Sequence, residues 1–376
     1  MRVLLAGGGT GGHIMPLVAV AREIKKIIGE SEELEFLFIG PKGKFETDLF
    51  KKEGIPIKQI SVGKIRRYPS GQNFIDLLFK IPIGVVQAFW HVFWYMPDVV
   101  FSKGGYASFP VVVASFFYWI PVIIHESDAV PGLANKICGK MARVVAVSFP
   151  EAKNYFPKKS ILTGNPVRET LFRGKKEVAV EIFNLIEARP TILILGGSQG
   201  AEKINNVVIQ ALPELLERYQ IIHQCGEANF DKLKRTVSRI LQPPLSEFYN
   251  LRGFLKDELK HAFAAADLVV SRAGAGTISE IMALKKPSIL IPLADAAADH
   301  QVKNASILAH LGAAKVITEQ NLTPHLFINE IDYLMRDPSV LEDMASRAGK
   351  LSIKDATERL ANLVVDLACG KLFKNK

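Results

Sequence analysis

Three glycine-rich turns stand where a short apolar run gives way to a helical pattern. They cover residues 7–12, 196–201 and 273–277. A turn of this kind lets backbone N–H groups approach an anion, and the dipole of the following helix favours negative charge there. The residue types therefore predict binding of phosphate groups, as in a nucleotide.

The first turn also fits two other nucleotide motifs, but only in part. It matches GxGxxG through Gly7, Gly9 and Gly12. A dinucleotide enzyme also needs an acidic residue at the tip of the second strand, and residues 39–42 read IGPK. A phosphate loop of the NTPase type needs lysine after the last glycine, where this chain has His13. Both interpretations are disfavoured.

The third turn begins a predicted helix in which Glu280 stands one to two turns from the start. A carboxylate there can accept both hydroxyls of a ribose. The alternative is a solvated helix residue, and the three similar turns favour the nucleotide. A later loop brings Asp299 and Gln301 to the start of another helix. Asp299 is typical of an N-cap, and the two side chains together can also bind sugar hydroxyls.

The chain has no Asp-x-Asp pair. Such a pair commonly holds a divalent cation on a diphosphate, so we expect neither a metal ion nor an organic cofactor. Helix N-termini and a cation such as Arg168 would then stabilise a leaving diphosphate.

Apolar runs of strand length alternate with amphipathic helical stretches, which predicts an α/β fold with parallel sheets. The predicted strands are 2–6, 34–39, 56–61, 98–102, 121–125, 143–147, 191–195, 219–223, 267–270, 288–291 and 314–317. A strand, a glycine turn and a helix open the chain and recur near residue 192. This repetition predicts two Rossmann-like domains in tandem, with a ligand cleft between them.

The TGNP sequence at 163–166 marks the expected domain boundary. We expect a first domain over 1–164 and a second over 165–353. The C-terminal helices, about 338–376, fit either domain, and 354–376 is the part expected to be able to return to the first.

The bulk composition fits a folded protein with an anionic partner. The 376 residues carry a net charge of +9, and nucleic acid, nucleotide phosphates or acidic lipids would all suit that charge. Cys138, Cys225 and Cys369 are far apart and form no CxxC motif, which favours reduced thiols in a cytosolic protein. The N-terminal residues do not resemble an export signal.

Seven sequence blocks occur in a characteristic order. They are GGGTGGH (7–13), KGGYASFP (103–110), HESDAVPGLANK (125–136), TGNPVR (163–168), GGSQGA (196–201), SRAGAGTISE (271–280) and ADHQVKNA (298–305). Together they resemble the MurG family, the UDP-N-acetylglucosamine:undecaprenyl-diphospho-muramoyl-pentapeptide transferases of peptidoglycan synthesis. The resemblance covers nearly the whole chain.

The resemblance implies a GT-B fold and an inverting transfer of N-acetylglucosamine (GlcNAc) from UDP-GlcNAc. The acceptor would be the C4 hydroxyl of MurNAc in lipid I, giving lipid II at the cytoplasmic face of the membrane. The implied partners are UDP-GlcNAc, lipid I and an anionic membrane surface, and not nucleic acid.

The resemblance also implies roles for individual residues. Thr10, Gly11 and Gly12 would lie near the donor diphosphate and sugar, and Arg168 and Ser198 would contact the diphosphate. Leu255 would cover the uracil, Glu280 would hold the ribose and Gln301 would bind GlcNAc. The residues that would frame the nucleotide are Ala275, Gly276, Thr277, Ile278 and Ser279. One departure is HESD at 125–128, where many members have HEQN. Asp128 is carried over as a donor ligand in place of that asparagine.

An inverting transfer needs a base for the acceptor hydroxyl while UDP leaves from the opposite face. His13 is the leading candidate because a helix N-terminus lowers the pKa of a histidine. Its alternative role is a structural hydrogen-bond donor. His125 and Glu126 are the competing candidates, and their alternative role is to tie two loops together at a strand end.

Residues 74–96 are apolar and aromatic, but Asp76, Lys80 and Pro82 interrupt them. We therefore do not expect a helix that spans the membrane. We expect a helix that is partly buried in the protein and partly lies on a bilayer. Basic residues precede this segment, and their alternative role is a solvated loop. The expected membrane-docking residues are Lys64, Arg66, Arg67, Phe74, Trp90 and Trp94.

Two rival functions share the same predicted architecture. One is a transferase of the same fold with another lipid acceptor. The other is a UDP-GlcNAc 2-epimerase, which would convert the donor without any acceptor. A dehydrogenase is a more distant alternative, because the first domain lacks the ribose carboxylate.

Overall fold

The structure, a computed structural model, describes residues 1–9, 11–29, 33–63, 71–197, 200–294 and 299–371, with the side chains of Lys44 and Phe45 excepted. The chain forms two compact units. The first consists of Met1–Pro166 together with the chain from Ile353 onward, and the second is Val167–Ser352.

The first unit is built on a seven-stranded sheet. Its strands are β1 (Arg2–Ala6), β2 (Glu35–Gly40), β3 (Ile57–Gln59), β4 (Val99–Ser102), β5 (Val122–Glu126), β6 (Val144–Val147) and β7 (Ser160–Leu162). They lie in the order β3-β2-β1-β4-β5-β6-β7, and every pair is parallel. Leu4 and Leu5 point to opposite faces and are both fully buried. Both faces of the sheet are therefore covered, as a parallel sheet requires.

Helices cover both faces of this sheet. They include α1 (Gly11–Ile28), α2 (Lys44–Lys52), α3 (Gly71–Ile75), α4 (Ile81–Tyr95), α5 (Phe109–Phe117) and α6 (Leu133–Met141), with a π-helical turn at Asp76–Lys80 and a 3₁₀ helix at Pro150–Tyr155. One face packs on α1 through residues such as Ile14 and Leu17. The other packs on α4 and α5, where Ala88 and Val111 are buried with Leu4.

The second unit contains a six-stranded parallel sheet. Its strands are β8 (Thr191–Leu195), β9 (Gln220–Gln224), β10 (Tyr249–Arg252), β11 (Leu268–Ser271), β12 (Ser288–Leu290) and β13 (Lys315–Val316), in the order β10-β9-β8-β11-β12-β13. Its helices are α7 (Lys176–Phe183), α8 (Glu202–Arg218), α9 (Glu227–Ile240), α10 (Leu259–Ala265), α11 (Ala275–Ala283), α12 (His300–His310), α13 (Pro324–Met335) and α14 (Pro338–Leu351), with 3₁₀ helices at Glu169–Arg173 and Leu245–Phe248. The prediction of an α/β fold with parallel sheets is confirmed.

The C-terminal helices divide between the two units. Helix α14 packs on α11 in the second unit. Helix α15 (Ala356–Ala368) belongs to the first, where Leu360 and Val364 are buried in the same cluster as Ile24 of α1. Apolar side chains on one side of α15 thus complete the cover over β1 and β4.

Each sheet reverses its strand order at one point, between β1 and β4 in the first and between β8 and β11 in the second. In open parallel sheets, ligands bind beyond the carboxyl ends of the strands at such a switch point. The three predicted glycine turns follow β1, β8 and β11 directly. The fold therefore places all three where ligands bind in this class of sheet.

Candidate functional site

Steric contacts require glycine in the turn after β1. Gly8 and Gly9 have φ angles of +139° and +92°, which favour glycine. A Cβ atom at Gly8 would lie 2.5 Å from Cδ of Pro41, and one at Gly9 would lie 2.8 Å from the hydroxyl oxygen of Tyr106. Glycine is therefore required in this turn, because Pro41 and Tyr106 fill the space that a side chain would need.

Helix α1 begins directly after the turn. Gly11 and Gly12 lie in its first turn, where N–H groups have no partner within the helix. His13 follows in the same helical turn and is half-buried. Burial, and then the positive charge of Lys103, lower the pKa of His13 to about 4. The ring is therefore neutral at pH 7, the form that a general base requires. Thr10 lies outside the described residues.

His125 is fully buried at the end of β5. Its Nε2 lies 2.9 Å from the carbonyl oxygen of Gly164 and 3.2 Å from Oγ of Ser148. Burial, then the charge of Lys103, hold the pKa of His125 well below its usual range, although the contact with Gly164 acts in the opposite direction. These contacts favour a structural role that ties β5 to the segment after β7.

Glu126 braces the turn that follows β5. Its Oε2 accepts a hydrogen bond from Nδ2 of Asn135 at 2.7 Å, and its Oε1 accepts one from the N–H of Asp128 at 2.9 Å. Burial and the nearby charge of Asp128 raise the pKa of Glu126 to about 7, against these hydrogen bonds and the charge of Lys103. Glu126 thus fixes the backbone of the turn, and the side chain of Asp128 is half-buried beside it.

Lys103 is a charged residue that sequence reasoning missed. It is the first residue after β4 and is only 1% exposed. Its Nζ donates to Oγ of Ser127 at 2.5 Å. Burial lowers the pKa of Lys103 to about 8, while the carboxylates of Glu126 and Asp128 act in the opposite direction. The sequence signal that could have identified Lys103 is its position directly after a buried strand at the switch point.

Gln224 holds the glycine turn after β8. Its Nε2 donates to the carbonyl oxygen of Gly197 at 3.3 Å, and its Oε1 accepts from the N–H of Leu255 at 3.0 Å. Gly197 and Gly200 both have a φ of +77°, so the turn requires glycine there as well. The side chain of Leu255 is buried, and Ser198 lies outside the described residues. Sequence reasoning missed Gln224. The signal that could have identified it is a polar residue at the end of an otherwise apolar buried strand.

Helix α11 presents two different sides. Gly276 is exposed and Thr277 is half-buried, so both remain accessible near the helix N-terminus. Ala275, Ile278 and Ser279 are buried, and Oγ of Ser279 donates to the carbonyl oxygen of Ala275 at 2.8 Å. The residues predicted to frame a nucleotide are thus split between an accessible pair and three that face the protein interior.

Glu280 lies in the second turn of α11 and forms an ion pair. Nε of Arg168 donates to Oε1 of Glu280 at 2.8 Å. The two side chains are 36% and 13% exposed, so both remain accessible. The structure therefore brings together two predicted donor-binding residues that are far apart in sequence.

Gln301 and Asp299 lie at the start of α12. Oε1 of Gln301 accepts from the N–H of Leu293 at 3.0 Å and so holds the loop after β12. Asp299 occupies the N-cap position, but its side chain makes no capping hydrogen bond and its φ is +52°. Asp299 therefore has the predicted N-cap position, without the side-chain hydrogen bond that usually accompanies it. Residues 295–298 lie outside the described part of the chain.

Arg272 and Glu319 support the same loop, and sequence reasoning missed both. Nη2 of Arg272 lies 2.6 Å from Oε1 of Glu319, and Oε2 of Glu319 accepts from the N–H of Ala294 at 3.3 Å. Burial would raise the pKa of Glu319, but the hydrogen bonds from Arg272 and Ala294 hold it below its usual range. The pair thus stays charged and fixes the loop that leads to α12.

An apolar face covers one side of the first unit. It is defined by the exposed side chains of Phe74, Ile75, Leu77, Leu78, Phe79, Ile83, Val86, Trp90, Phe93, Trp94, Phe116, Phe117 and Trp119. Ring contacts join its two parts, since Phe89 of α4 lies 5.7 Å from Phe117 of α5 between ring centroids. The predicted basic residues Lys64, Arg66 and Arg67 lie outside the described residues.

The helix that carries most of this face runs unbroken over Gly71–Tyr95. The helix has 25 residues, and an 18-residue window within it has a mean hydropathy of 1.4, so by length and composition alone it could cross a bilayer. One side of it is nevertheless packed on protein, because a Cβ atom at Gly84 would lie 1.9 Å from the carbonyl oxygen of Ser61. Asp76, Ala88 and Val92 are buried on the same side.

In the described ranges, no group of three or more His, Cys, Asp and Glu side chains is placed to hold a metal ion.

Two family models match most of the chain. The N-terminal domain of glycosyltransferase family 28 matches residues 3–147, and the C-terminal domain of the same family matches residues 191–360.

Curated proteins from several bacteria are similar along nearly their whole length. One from Thermodesulfovibrio yellowstonii is 41% identical over 92% of this chain and 92% of its own. One from Lachnoclostridium phytofermentans is 39% identical over 97% of this chain and 99% of its own. Both are named UDP-N-acetylglucosamine–N-acetylmuramyl-(pentapeptide) pyrophosphoryl-undecaprenol N-acetylglucosamine transferase.

Solved structures agree with these relatives. MurG of Acinetobacter baumannii has a TM-score of 0.74 and 29% identity, and the match covers 97% of this chain and 99% of that one. A UDP-GlcNAc 2-epimerase from Neisseria meningitidis has a TM-score of 0.68 at 15% identity over 97% of this chain and 100% of its own, which shows the fold alone. The predicted GT-B fold class is thereby confirmed. The chain belongs to glycosyltransferase family 28 and, within it, to the MurG family of N-acetylglucosamine transferases.

Proposed function

We propose that this chain transfers GlcNAc from UDP-GlcNAc to the C4 hydroxyl of MurNAc in undecaprenyl-diphospho-MurNAc-pentapeptide, with inversion at the anomeric carbon. The product is the lipid II precursor of peptidoglycan. The observation that carries the proposal is that relatives 36–41% identical over nearly the full chain bear the name of this transferase. The glycine turns at both switch points support it, because they suit phosphate groups.

Three side chains of the second unit contact the donor. Arg168 neutralises the diphosphate, Glu280 accepts the ribose hydroxyls and Gln301 binds GlcNAc. The accessible first turn of α11, with Gly276 and Thr277, supports nucleotide binding there because its N–H groups favour an anion. Leu255 lies against the uracil, and Ser198 adds a diphosphate contact.

His13 is the general base of the transfer. The oxygen of the acceptor hydroxyl forms a bond to C1 of the sugar while the bond from C1 to the diphosphate oxygen breaks. The hydroxyl proton passes to the imidazole, and the electron pair leaves with UDP. The lowered pKa of His13, about 4, keeps the ring uncharged at pH 7, the protonation state from which a general base acts. The buried contacts of His125 and Glu126 favour positioning roles for them.

Thr10, Gly11 and Gly12 are assigned to the donor diphosphate and sugar, and Asp128 is assigned as a further donor ligand. No metal ion takes part, since Arg168 and the helix N-termini neutralise the leaving diphosphate.

The protein works at the cytoplasmic face of the membrane as a peripheral enzyme. The apolar face supports this location, because Trp90, Trp94 and Phe74 are more than half exposed while the opposite side of their helix is packed on protein. An amphipathic helix of this kind lies in the interface with its apolar side in the acyl region. Lys64, Arg66 and Arg67 are proposed to add attraction to anionic lipids.

Release of UDP from UDP-GlcNAc tests the function directly. It is measured in EDTA, with and without a water-soluble analogue of the lipid acceptor. We expect UDP release only with the analogue, at a rate that EDTA leaves unchanged. Conversion of UDP-GlcNAc without any acceptor would instead identify an epimerase and refute the acceptor assignment. A requirement for Mg²⁺ or Mn²⁺ would refute the metal-free part alone.

A further inference from the structure

A buried lysine lies at the switch point of the first sheet. Lys103 follows β4, which lies between β1 and β5 in the strand order. Its side chain is almost completely buried, and a buried charge is costly unless it is paired. Lys103 thus lies between the turn after β1, which leads to His13, and the turn after β5, which bears Asp128.

On the β5 side, Lys103 meets a turn with two carboxylates. Its Nζ donates to Oγ of Ser127 at 2.5 Å. The charges of Glu126 and Asp128 both favour the protonated ammonium. Glu126 is itself fixed by Asn135 at 2.7 Å, so the turn offers a rigid acceptor for the cation.

On the β1 side, Lys103 packs with the turn that carries His13. A Cβ atom at Gly7 would lie 3.4 Å from Cβ of Lys103 and 3.7 Å from the carbonyl oxygen of His13. A Cβ atom at Gly105 would lie 3.6 Å from Nε2 of His13. The imidazole thus packs on the loop that Lys103 begins.

The titratable groups around the turn that leads to His13 come from the loops after β4 and β5 and from helix α2. Lys103 is the group whose charge acts on the ring of His13. Glu126 and Asp128, in the turn after β5, act on Lys103. Tyr106 reaches Gly9 from the loop after β4, and Glu46 of α2 accepts from the N–H of Gly9 at 3.4 Å.

We propose that Lys103 is a positioning residue whose ammonium group holds the turn of Ser127 and Asp128 and favours the uncharged ring of His13. A cation beside an imidazole opposes a second proton on the ring, because the two positive charges repel. The consequence for catalysis rests on the proposed role of His13 as the base, but the electrostatic relationship does not.

NMR titration of the full chain labelled at histidine Cε1 measures the pKa of His13 without any turnover. We expect Lys103→Met to raise this pKa by about one unit or more, because the neighbouring cation is removed. Lys103→Arg keeps the charge and is expected to leave the pKa low. The control is Lys286→Met, which removes a mostly buried lysine of the second unit that donates to the carbonyl oxygen of Ala266 at 2.8 Å. This control is expected to leave the pKa of His13 unchanged.

Lys103→Met leaves two carboxylates without their cation and can fail to fold. The double variant Lys103→Met/Asp128→Asn removes one charge of each sign and gives the same readout. We expect the pKa of His13 to be raised in it as well. An unchanged pKa in a folded Lys103→Met or double variant, or a wild-type His13 that titrates near its ordinary value of 6.5, would overturn the proposal.

The activity profile separates this proposal from the proposed function. In Lys103→Met, the acid limb of kcat against pH should move to higher pH. If wild type transfers GlcNAc and the pKa of His13 rises in Lys103→Met but this limb does not move, the role of His13 as base is refuted, while the transferase and the role of Lys103 stand. If wild type does not transfer GlcNAc, the transferase is refuted, and the titration of His13 still decides the role of Lys103.

Discussion

Nε of Arg168 donates to Oε1 of Glu280 at 2.8 Å, although 112 residues separate them along the chain. The two have different proposed tasks, the diphosphate for Arg168 and the ribose for Glu280. In this arrangement the guanidinium group and the carboxylate partly neutralise each other's charge. Binding of the donor therefore has to compete with the ion pair or share it, and the partial exposure of both groups keeps that competition weak.

Removing either partner should weaken use of the donor more than it weakens folding. We expect Arg168→Met to lower kcat/KM for UDP-GlcNAc by about 100-fold, because a charge that stabilises the leaving diphosphate is lost. An exposed pair contributes only about 0.5–1 kcal/mol to stability, so the melting temperature should change little. Steady-state kinetics and calorimetric titration with UDP check both parts.

The matched control for this variant is Arg173→Met, which removes an exposed arginine from the same 3₁₀ segment. It should leave kcat/KM within about twofold of wild type, because surface substitutions away from a site have small effects. Equal losses in Arg168→Met and Arg173→Met would mean that general charge, and not a diphosphate contact, explains the effect.

Loss of the imidazole of His13 should slow the chemical step. We expect His13→Gln to lower kcat by about 10²- to 10⁴-fold with a smaller change in KM, the range for removal of a general base. A rise in KM for the acceptor without a fall in kcat would contradict the role as base.

The pH dependence of the wild-type enzyme follows from the same group. Because the pKa of His13 is lowered to about 4, the ring stays unprotonated as the pH falls from 8 to 5, and this group should cause no loss of kcat in that range. A histidine with the ordinary value of 6.5 would lose most of its basic form by pH 5. Measuring kcat with saturating soluble acceptor from pH 8 to pH 5 distinguishes the two cases.

The apolar face should control membrane binding. Trp94 is 67% exposed, so Trp94→Glu removes apolar area and adds a negative charge without disturbing the core. We expect binding to vesicles with anionic lipid to fall by at least about tenfold in a sedimentation assay, while transfer to a soluble acceptor is retained. Tyr333→Glu is the control, because Tyr333 is a similarly exposed aromatic residue of the second unit. Equal binding by both variants would place the membrane contact elsewhere.

Local patterns predicted the central strands of both sheets well. All six strands predicted in the first half and all five in the second are present, with bounds shifted by up to two residues. Two short strands were missed, β7 and β10, each at the edge of its sheet. Residues 249–252 read YNLR and are only half-buried, so they lack the continuous apolar run that identifies a buried parallel strand.

The position of the candidate site was also accessible from the sequence, because a strand followed by glycines and a helix is a local pattern. The glycines after β1 and β8 are required by positive φ angles and close contacts within their own turns. Because such requirements act over a few residues, they can be recognised as a local pattern in the sequence. His13 and Glu280 were predicted from their spacing to the glycine turns after β1 and β11, and Gln301 from its place in the loop that leads to α12.

The amino-acid sequence alone thus determined the alternation of elements, the turns at the switch points and the family. Only the tertiary structure decided that Lys103 is buried beside Ser127, that Arg168 pairs with Glu280, and that α15 packs on α1. Each of these depends on which strands and helices become neighbours in space. Pairings between distant segments follow from sheet order and helix packing, which local hydrophobic periodicity and turn residues do not encode.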